Sequence, residues 1–366
     1  MTQSLSISPH QKMHYPLVVI SDTHLGKKFS QADMLLEFLQ SVDCDTLIMN
    51  GDIIDGWALA KKQQKAFPEM HRRVLDAINA KIEAGTKVFY IAGNHDMTLR
   101  DSPVMGKEGG FHGINFEEAL EYSDNQGRKW FFLHGDQYDP NMLKKKGKVL
   151  YHFGDNLYDG FIAMSVSTSK MAHKLLKTRF SAAAYIKKHT KKFIQLISNF
   201  EDAVMNSAVK NDADGIICGH IHTAEWREID LSRNKQARGK LYYGNSGDWV
   251  ESCTALVQDE GGEWDVLHWL DLREKLEFDR PPEESDPNPY ADQRDKTNRL
   301  LLWVNRLWGG KDRQDKMAEF MKAKQKIQKL EQKDSLAPEK QEKYDKAQHK
   351  LQKLRPVLWP SKQPSI

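Results

Sequence analysis

Along the N-terminal part of the chain, short unbroken apolar runs alternate with stretches whose apolar positions recur every three or four residues. Leu17-Val-Val-Ile20 is rich in β-branched residues and is bounded by Pro16 and Ser21, which predicts a buried strand. Met34, Leu35, Phe38 and Leu39 repeat at helical spacing, and Ser30 is the expected N-cap of that helix. Thr46-Leu-Ile-Met49 is a second strand, Met70, Val74, Ile78 and Ile82 mark a second helix closed by Gly85, and Lys87-Val-Phe-Tyr-Ile91 is a third strand. This order predicts a βαβαβ unit with a parallel sheet, so the fold class is α/β. Later strands are expected at Trp130–Leu133, Gly215–Cys218, Leu241–Tyr243, Cys253–Val257 and Trp264–Leu270.

The pattern then changes twice. Between Pro140 and Ala213 strands are scarce, while Ala183, Ile186, Phe193, Leu196, Ile197 and Phe200 repeat helically among lysines. A helical cap inserted at about 140–212 into a domain spanning 15–275 is the expected organisation. Residues 276–292 form a linker, including Arg280-Pro-Pro-Glu-Glu-Ser-Asp-Pro-Asn-Pro289, and 293–366 a helical tail. Leu300–Trp308 has two readings: Trp303 and Trp308 at a membrane headgroup boundary, or its leucines docked on the preceding domain. Beyond it, Met317, Phe320, Met321, Lys324, Ile327 and Leu330, then Tyr344, Ala347, Leu351 and Leu354, predict an αα-hairpin suited to a protein partner or to self-association.

Composition narrows the class. No stretch approaches the roughly 18–20 apolar residues of a spanning helix, and the run Leu17–Ile20 is too short for a signal-peptide core. Cys44, Cys218 and Cys253 are far apart, which excludes a disulfide scaffold and a cysteine zinc site and suits a reducing cytoplasm. The net charge of +3 conceals a segregation: residues 141–200 hold 12 Lys/Arg against 2 Asp/Glu, a local +10 against −7 elsewhere. Such a segment suits an anionic substrate, an anionic membrane surface or, as the competing reading, nucleic acid. Lys187, Lys188 and Lys191 are its candidate substrate contacts.

Five short segments share one chemical type: Asp22-Thr-His24, Gly51-Asp52, Gly93-Asn-His-Asp96, His134-Gly-Asp136 and Gly219-His-Ile-His222. The first three follow the three predicted parallel strands, where open α/β sheets bind ligands. Each alone is ordinary, since Asp and Asn cap turns and lone histidines are commonly structural. Together they converge mixed Asp, His and Asn donors, which suit manganese, iron or zinc rather than the all-oxygen ions. Seven candidate ligands exceed one ion and suit a pair with a bridging carboxylate, which lowers the pKa of bound water and clamps phosphoryl oxygens.

The set DTH, GD, GNHD, HG and GHIH resembles the calcineurin-like metallophosphoesterase superfamily over roughly residues 15–270. The resemblance implies a two-sheet α/β/β/α sandwich. It also implies Asp22, His24 and His222 on one divalent ion, Asn94, His134 and His220 on the other, and Asp52 bridging. His95 would orient the phosphoryl group or protonate the leaving group, with Asp96 supporting it. Asp96 stands where Ser/Thr protein phosphatases have Glu, which argues against that branch. The pattern Gly51-Asp-Ile-Ile-Asp55-Gly-Trp57, the insert before GHIH and Gly247-Asp-Trp-Val-Glu-Ser252 are closest to UDP-2,3-diacylglucosamine pyrophosphohydrolases, manganese enzymes of lipid A synthesis at the cytoplasmic membrane face. His95 departs from the Arg of their best-known branch. Gly247, Asp248 and Trp249 are expected to stabilise a sheet end. A nuclease of the same superfamily and a non-catalytic metal-binding scaffold are the alternatives.

Overall fold

Successive side chains of a strand face opposite sides of its sheet, and in this chain both sides are covered. The computed structural model describes residues 12–56, 58–59, 67–100, 102, 106–110, 112–138, 191–230, 239–276, 282–308 and 338–358, with isolated positions between 316 and 330. In β1 (Met13–Ile20), Leu17 and Val19 point to one face while Val18 and Ile20 point to the other. β2 (Val42–Asn50) and β3 (Lys87–Ile91) divide in the same way, with Ile48, Phe89 and Ile91 opposite Leu47, Met49, Val88 and Tyr90. A strand buried on both faces reads as a continuous apolar run, which is why these three stand out in the sequence.

The first sheet has the order β11–β10–β1–β2–β3–β4, with β4 at Ile114–Glu117, β10 at Thr254–Gln258 and β11 at Trp264–His268. Strands β1 to β4 run parallel, and β10 and β11 add antiparallel. The second sheet runs β5 (Leu120–Ser123), β6 (Lys129–Phe132), β7 (Gly215–Cys218), β9 (Lys240–Asn245) and β8 (Glu225–Asp230), with a parallel centre and antiparallel edges. Leu17, Val19, Ile48 and Phe89 of one sheet meet Trp130, Phe132 and Ile217 of the other. Outside the first sheet lie α1 (Ala32–Ser41) and α2 (Glu69–Glu83). Outside the second lies α3 (Lys191–Lys210), through Phe200, Val204 and Ala208. The fold is mixed α/β, with two sheets flanked by helices.

Several elements differ from the sequence expectation. Strands β4, β5 and β8 were not foreseen, and Trp269 and Leu270 begin a short helix, α4 (Trp269–Lys275), instead of extending β11. Ser30 does not cap α1: its Oγ donates to the Thr23 carbonyl at 2.6 Å, and the cap position is Gln31. The hydroxyl instead fixes the loop that follows β1. Residues 200–208, counted with the inserted cap, cover the second sheet, because Phe200, Val204 and Ala208 fall four apart on one helix face. Lys187 and Lys188 lie outside the described residues, as does the Lys191 side chain.

Helix α5 (Arg294–Trp308) buries Leu300, Leu301, Trp303 and Val304, and the Trp303 ring lies 5.4 Å from that of Phe116. Arg294 pairs with Glu69 and Asp76 of α2, and Arg72 donates to Asn298 at 2.7 Å. Just upstream, the Arg73 guanidinium donates to the carbonyls of Glu283, Glu284 and Asp286. The docked reading therefore describes Trp303, and the headgroup reading does not; Trp308's side chain lies outside the described residues. Helix α6 (Pro338–Leu358) buries Ala347 and pairs Lys350 with Glu319 at 3.1 Å. Among the described residues no helix is long and apolar enough to cross a membrane. Because Trp303 is 6% exposed and its neighbour Leu302 43%, urea denaturation should separate them. Trp303→Ala is expected to cost about 3–5 kcal/mol and Leu302→Ala less than about 0.5.

Candidate metal centre

The loops that leave the carboxyl ends of β1, β2, β3, β6 and β7 meet at one edge of the sandwich. Backbone hydrogen bonds lock the first two together: Asp22 N donates to Gly51 O at 3.0 Å, His24 N to Asp52 O at 2.9 Å and Leu25 N to Ile53 O at 2.8 Å. The second sheet joins where Asn50 Nδ2 donates to Ile217 O and His220 N donates to Asp22 Oδ2 at 3.0 Å. Asp22, His24, Asp52, His220 and His222 all have positive φ, between 46° and 68°. Non-glycine residues in that region cost of order 1–3 kcal/mol each and cluster at functional sites. At Gly93 a Cβ would collide with Asp52 and the His134 ring, and at Gly51 it would enter that ring, so the approach of the loops requires glycine there.

The side chains form a buried acid–imidazole knot. His222 Nε2 lies 3.1 Å from Asp22 Oδ1. Asp52 Oδ2 lies 3.4 Å from His134 Nε2 and 3.9 Å from His24 Nε2, while Asp52 Oδ1 accepts the His95 amide at 2.8 Å. His134 Nδ1 donates to the Asn50 carbonyl at 3.0 Å, which leaves Nε2 to face the carboxylates. The His220 ring is 5.3 Å from that of His134, and Asn94 is buried on the loop after β3. Asp22, His24 and His222 have ligand atoms close enough to share one ion, as do Asp22, Asp52 and His134.

Charge at the site is strongly biased. Burial by itself would raise the Asp22 carboxyl, but His222 holds it down at about 2. Burial likewise opposes the low value of Asp52, which its neighbouring histidines depress. His134 is pushed up to about 10, against its burial, by Asp52 and Asp22. The field between these carboxylates thus favours positive charge. Asp22 Oδ1 and His134 Nε2 are buried, and their ion pairs with His222 and Asp52 do not meet hydrogen-bond geometry. Mixed oxygen and nitrogen donors aimed inward from a negative pocket fit a divalent transition ion.

His95 sits beside this knot, its ring 4.6 Å from that of His24. Its Nδ1 donates to Asp55 Oδ2 at 2.7 Å, and His24 Nδ1 is 3.8 Å from the same oxygen. Asp55 is not among the expected site residues; its signal in the sequence is a second acid three residues past Asp52 in the GDIIDG run. Asp96, expected to support His95, has its carboxyl engaged by the amides of Gly93 and Ile53 and by the Tyr90 hydroxyl. Its support runs through the loop backbone because three donors already claim it, and burial with the nearby Asp52 raises it to about 6. Asp248 accepts the amides of Val250 and Glu251 and places Oδ2 4.0 Å from His222 Nδ1. It therefore both closes the turn and faces the site.

The sequence profile described as calcineurin-like phosphoesterase matches residues 15–224, more than half of the chain. The UDP-2,3-diacylglucosamine hydrolase of Photorhabdus laumondii is 24% identical over 229 residues, covering 61% of this chain and 88% of the relative. That of Xanthomonas oryzae is 22% identical over 253 residues, covering 66% and 95%. Among solved structures, vacuolar protein sorting 29 from Cryptosporidium parvum aligns at 13% identity and a TM-score of 0.30, over 69% of this chain and 94% of its own. Gly93→Ala should abolish tight uptake of a divalent metal ion, measured by metal analysis after desalting, while an exposed Gly85→Ala change should leave uptake intact.

Proposed function

The chain belongs to the calcineurin-like phosphoesterase family and is a metal-dependent phosphoester hydrolase; from that premise we propose that it cleaves the pyrophosphate of a nucleotide-linked acylated sugar with water. The named relatives align over most of their length, which supports that substrate class. The same likeness and the basic segment support work at the cytoplasmic face of a membrane. In this reading Asp22, His24 and His222 hold one ion and Asn94, His134 and His220 the other. The observation that carries it is the position of Asp52 Oδ2 between His24 and His134, one histidine from each set, as a bridging carboxylate requires. Manganese is the preferred metal, with iron or zinc as alternatives on the same donors. When bound, such ions supply an activated water and neutralise phosphoryl charge.

The remaining steps belong to side chains of this site. His95 moves a proton to the leaving oxygen. Asp55 fixes the ring by accepting from Nδ1 and stabilises the imidazolium that donates. Burial would raise Asp55, yet His95 and His24 hold it well below the usual carboxylate range, so it stays ionised throughout. His24, His95 and Asp55 are nearly closed to solvent, which keeps bulk water from the leaving group's proton. Asp96 and Tyr90 hold the loops of β2 and β3 together, and so set the spacing between Asp52 and His95.

Two measurements test this. With manganese, the protein should hydrolyse bis(p-nitrophenyl) phosphate, and Asp55→Asn should lower kcat roughly 100-fold or more, the usual scale of a misplaced general acid, with metal content unchanged. Given a UDP-linked diacylated sugar and single-stranded DNA under the same conditions, it should cleave the sugar pyrophosphate; cleavage of DNA alone would overturn the substrate.

A further inference from the structure

Two residues past His134, Asp136 is paired with a buried arginine. The chain leaves β3 through Ala92, carries Asn94, His95 and Asp96, and closes in a single 3-10 turn, Met97–Leu99, that ends at Arg100. From there the Arg100 guanidinium turns back on its own loop: Nε and Nη2 donate to the Ala92 carbonyl at 3.1 and 2.7 Å. The same group forks onto Asp136, with Nη1 donating to Oδ2 at 2.9 Å and Nη2 to Oδ1. Both side chains are buried, at 8% and 5% exposure. Arginine's planar fork suits such bidentate recognition of a carboxylate. One cation thus ties the two ends of the loop after β3 to each other. It also fastens that loop to the one after β6, which belongs to the other sheet.

The fastened loops are those that carry Asn94 and His134. His220 follows them, because the Gly219 amide donates to the His134 carbonyl at 3.0 Å and sets the two histidine loops against each other. The backbone hydrogen bonds that place Asp22 and His24 run instead to Gly51 and Asp52, after β2. Resting on the two-ion reading above, we propose that Arg100 and Asp136 are positioning residues for the second ion, setting the distance between Asn94 and His134. They act through those ligands and not on the substrate. A buried ion pair is a poor source of stability, since desolvation offsets its attraction. Placed between two ligand-bearing loops, it has a geometric use. Asn94 offers a neutral amide oxygen, so the ion it helps to hold depends closely on where the loop keeps that oxygen.

Equilibrium titration of the full chain with manganese, with the free ion read by electron paramagnetic resonance, resolves the two binding steps. Arg100→Lys keeps the charge but loses the fork. It should weaken one step roughly 10-fold or more, the scale on which groups that orient metal ligands act, and the other less than about 3-fold. The weakened step should be the one that Asn94→Ala weakens. Arg100→Met combined with Asp136→Leu removes both charges together, a replacement that buried pairs commonly tolerate. That double variant should melt cooperatively yet leave the same step weak, whereas a merely structural pair would let the step recover. Both steps weakened alike, both unchanged, the other step weakened, or recovery in the double variant would overturn the role, as would loss of the fold in every variant. A wild type that binds a single ion would overturn the two-ion reading itself, and the role with it.

Discussion

A buried carboxylate with nowhere to discharge its negative charge organises this molecule. Asp52 leaves β2 in a left-handed conformation, accepts the His95 amide on one oxygen and faces His134 and His24 with the other. Removing one partner from such a buried pair strands the other charge, at a cost of about 3–5 kcal/mol. The arrangement therefore persists only because both sheets hold it. β1 to β3 bring Asp22, His24, Asp52 and His95, and β6 and β7 bring His134, His220 and His222. Neither sheet alone contains the set. The cross-sheet contacts, Asn50 to the Ile217 carbonyl and Asp22 to the His220 amide, are what make two half-sites one.

Support for that knot extends far along the chain. His71 of α2 accepts the Gly26 amide at 2.7 Å, in the loop that carries His24. Two residues on, Arg73 grips the carbonyls of Glu283, Glu284 and Asp286, and α5 then lies along α2 through Arg294 and Asn298. The C-terminal part described as far as α5 is thus a brace behind the metal loop. Its Pro-rich approach is held by a guanidinium that satisfies three carbonyls at once, a use for which arginine's rigid fork is suited.

Much of this was legible in the chain, and the reasons for the rest are physical. The parallel strands β1, β2 and β3 are apolar on both faces, so their runs announce them. Edge strand β8 alternates, Glu225-Trp-Arg-Glu-Ile-Asp230, and its polar face disguised it directly after the histidine motif. β4, Ile114-Asn-Phe-Glu117, and β5, Leu120-Glu-Tyr-Ser123, each alternate two apolar residues with polar ones, whereas the equally short β6 and β7 carry unbroken apolar runs that announce them. The site residues were found because they follow strand ends, a positional rule. Asp55 escaped that rule because it lies three residues past Asp52, beyond the strand end, where the loop brings it against His95 and His24. Asp96 was overread for the mirrored reason: adjacency to His95 in sequence suggested contact with its ring, but the donors that claim Asp96 come from β3 and from the β2 loop.

The central claim is that two ions share the carboxylate of Asp52, and metal stoichiometry tests it most directly. Equilibrium titration of the full chain with manganese, followed by metal analysis of the saturated protein, should give two ions per chain, falling to one or none in Asp52→Ala with the fold retained by circular dichroism. A wild type that saturates with fewer than two ions, or an Asp52→Ala variant that still holds two, would contradict the account.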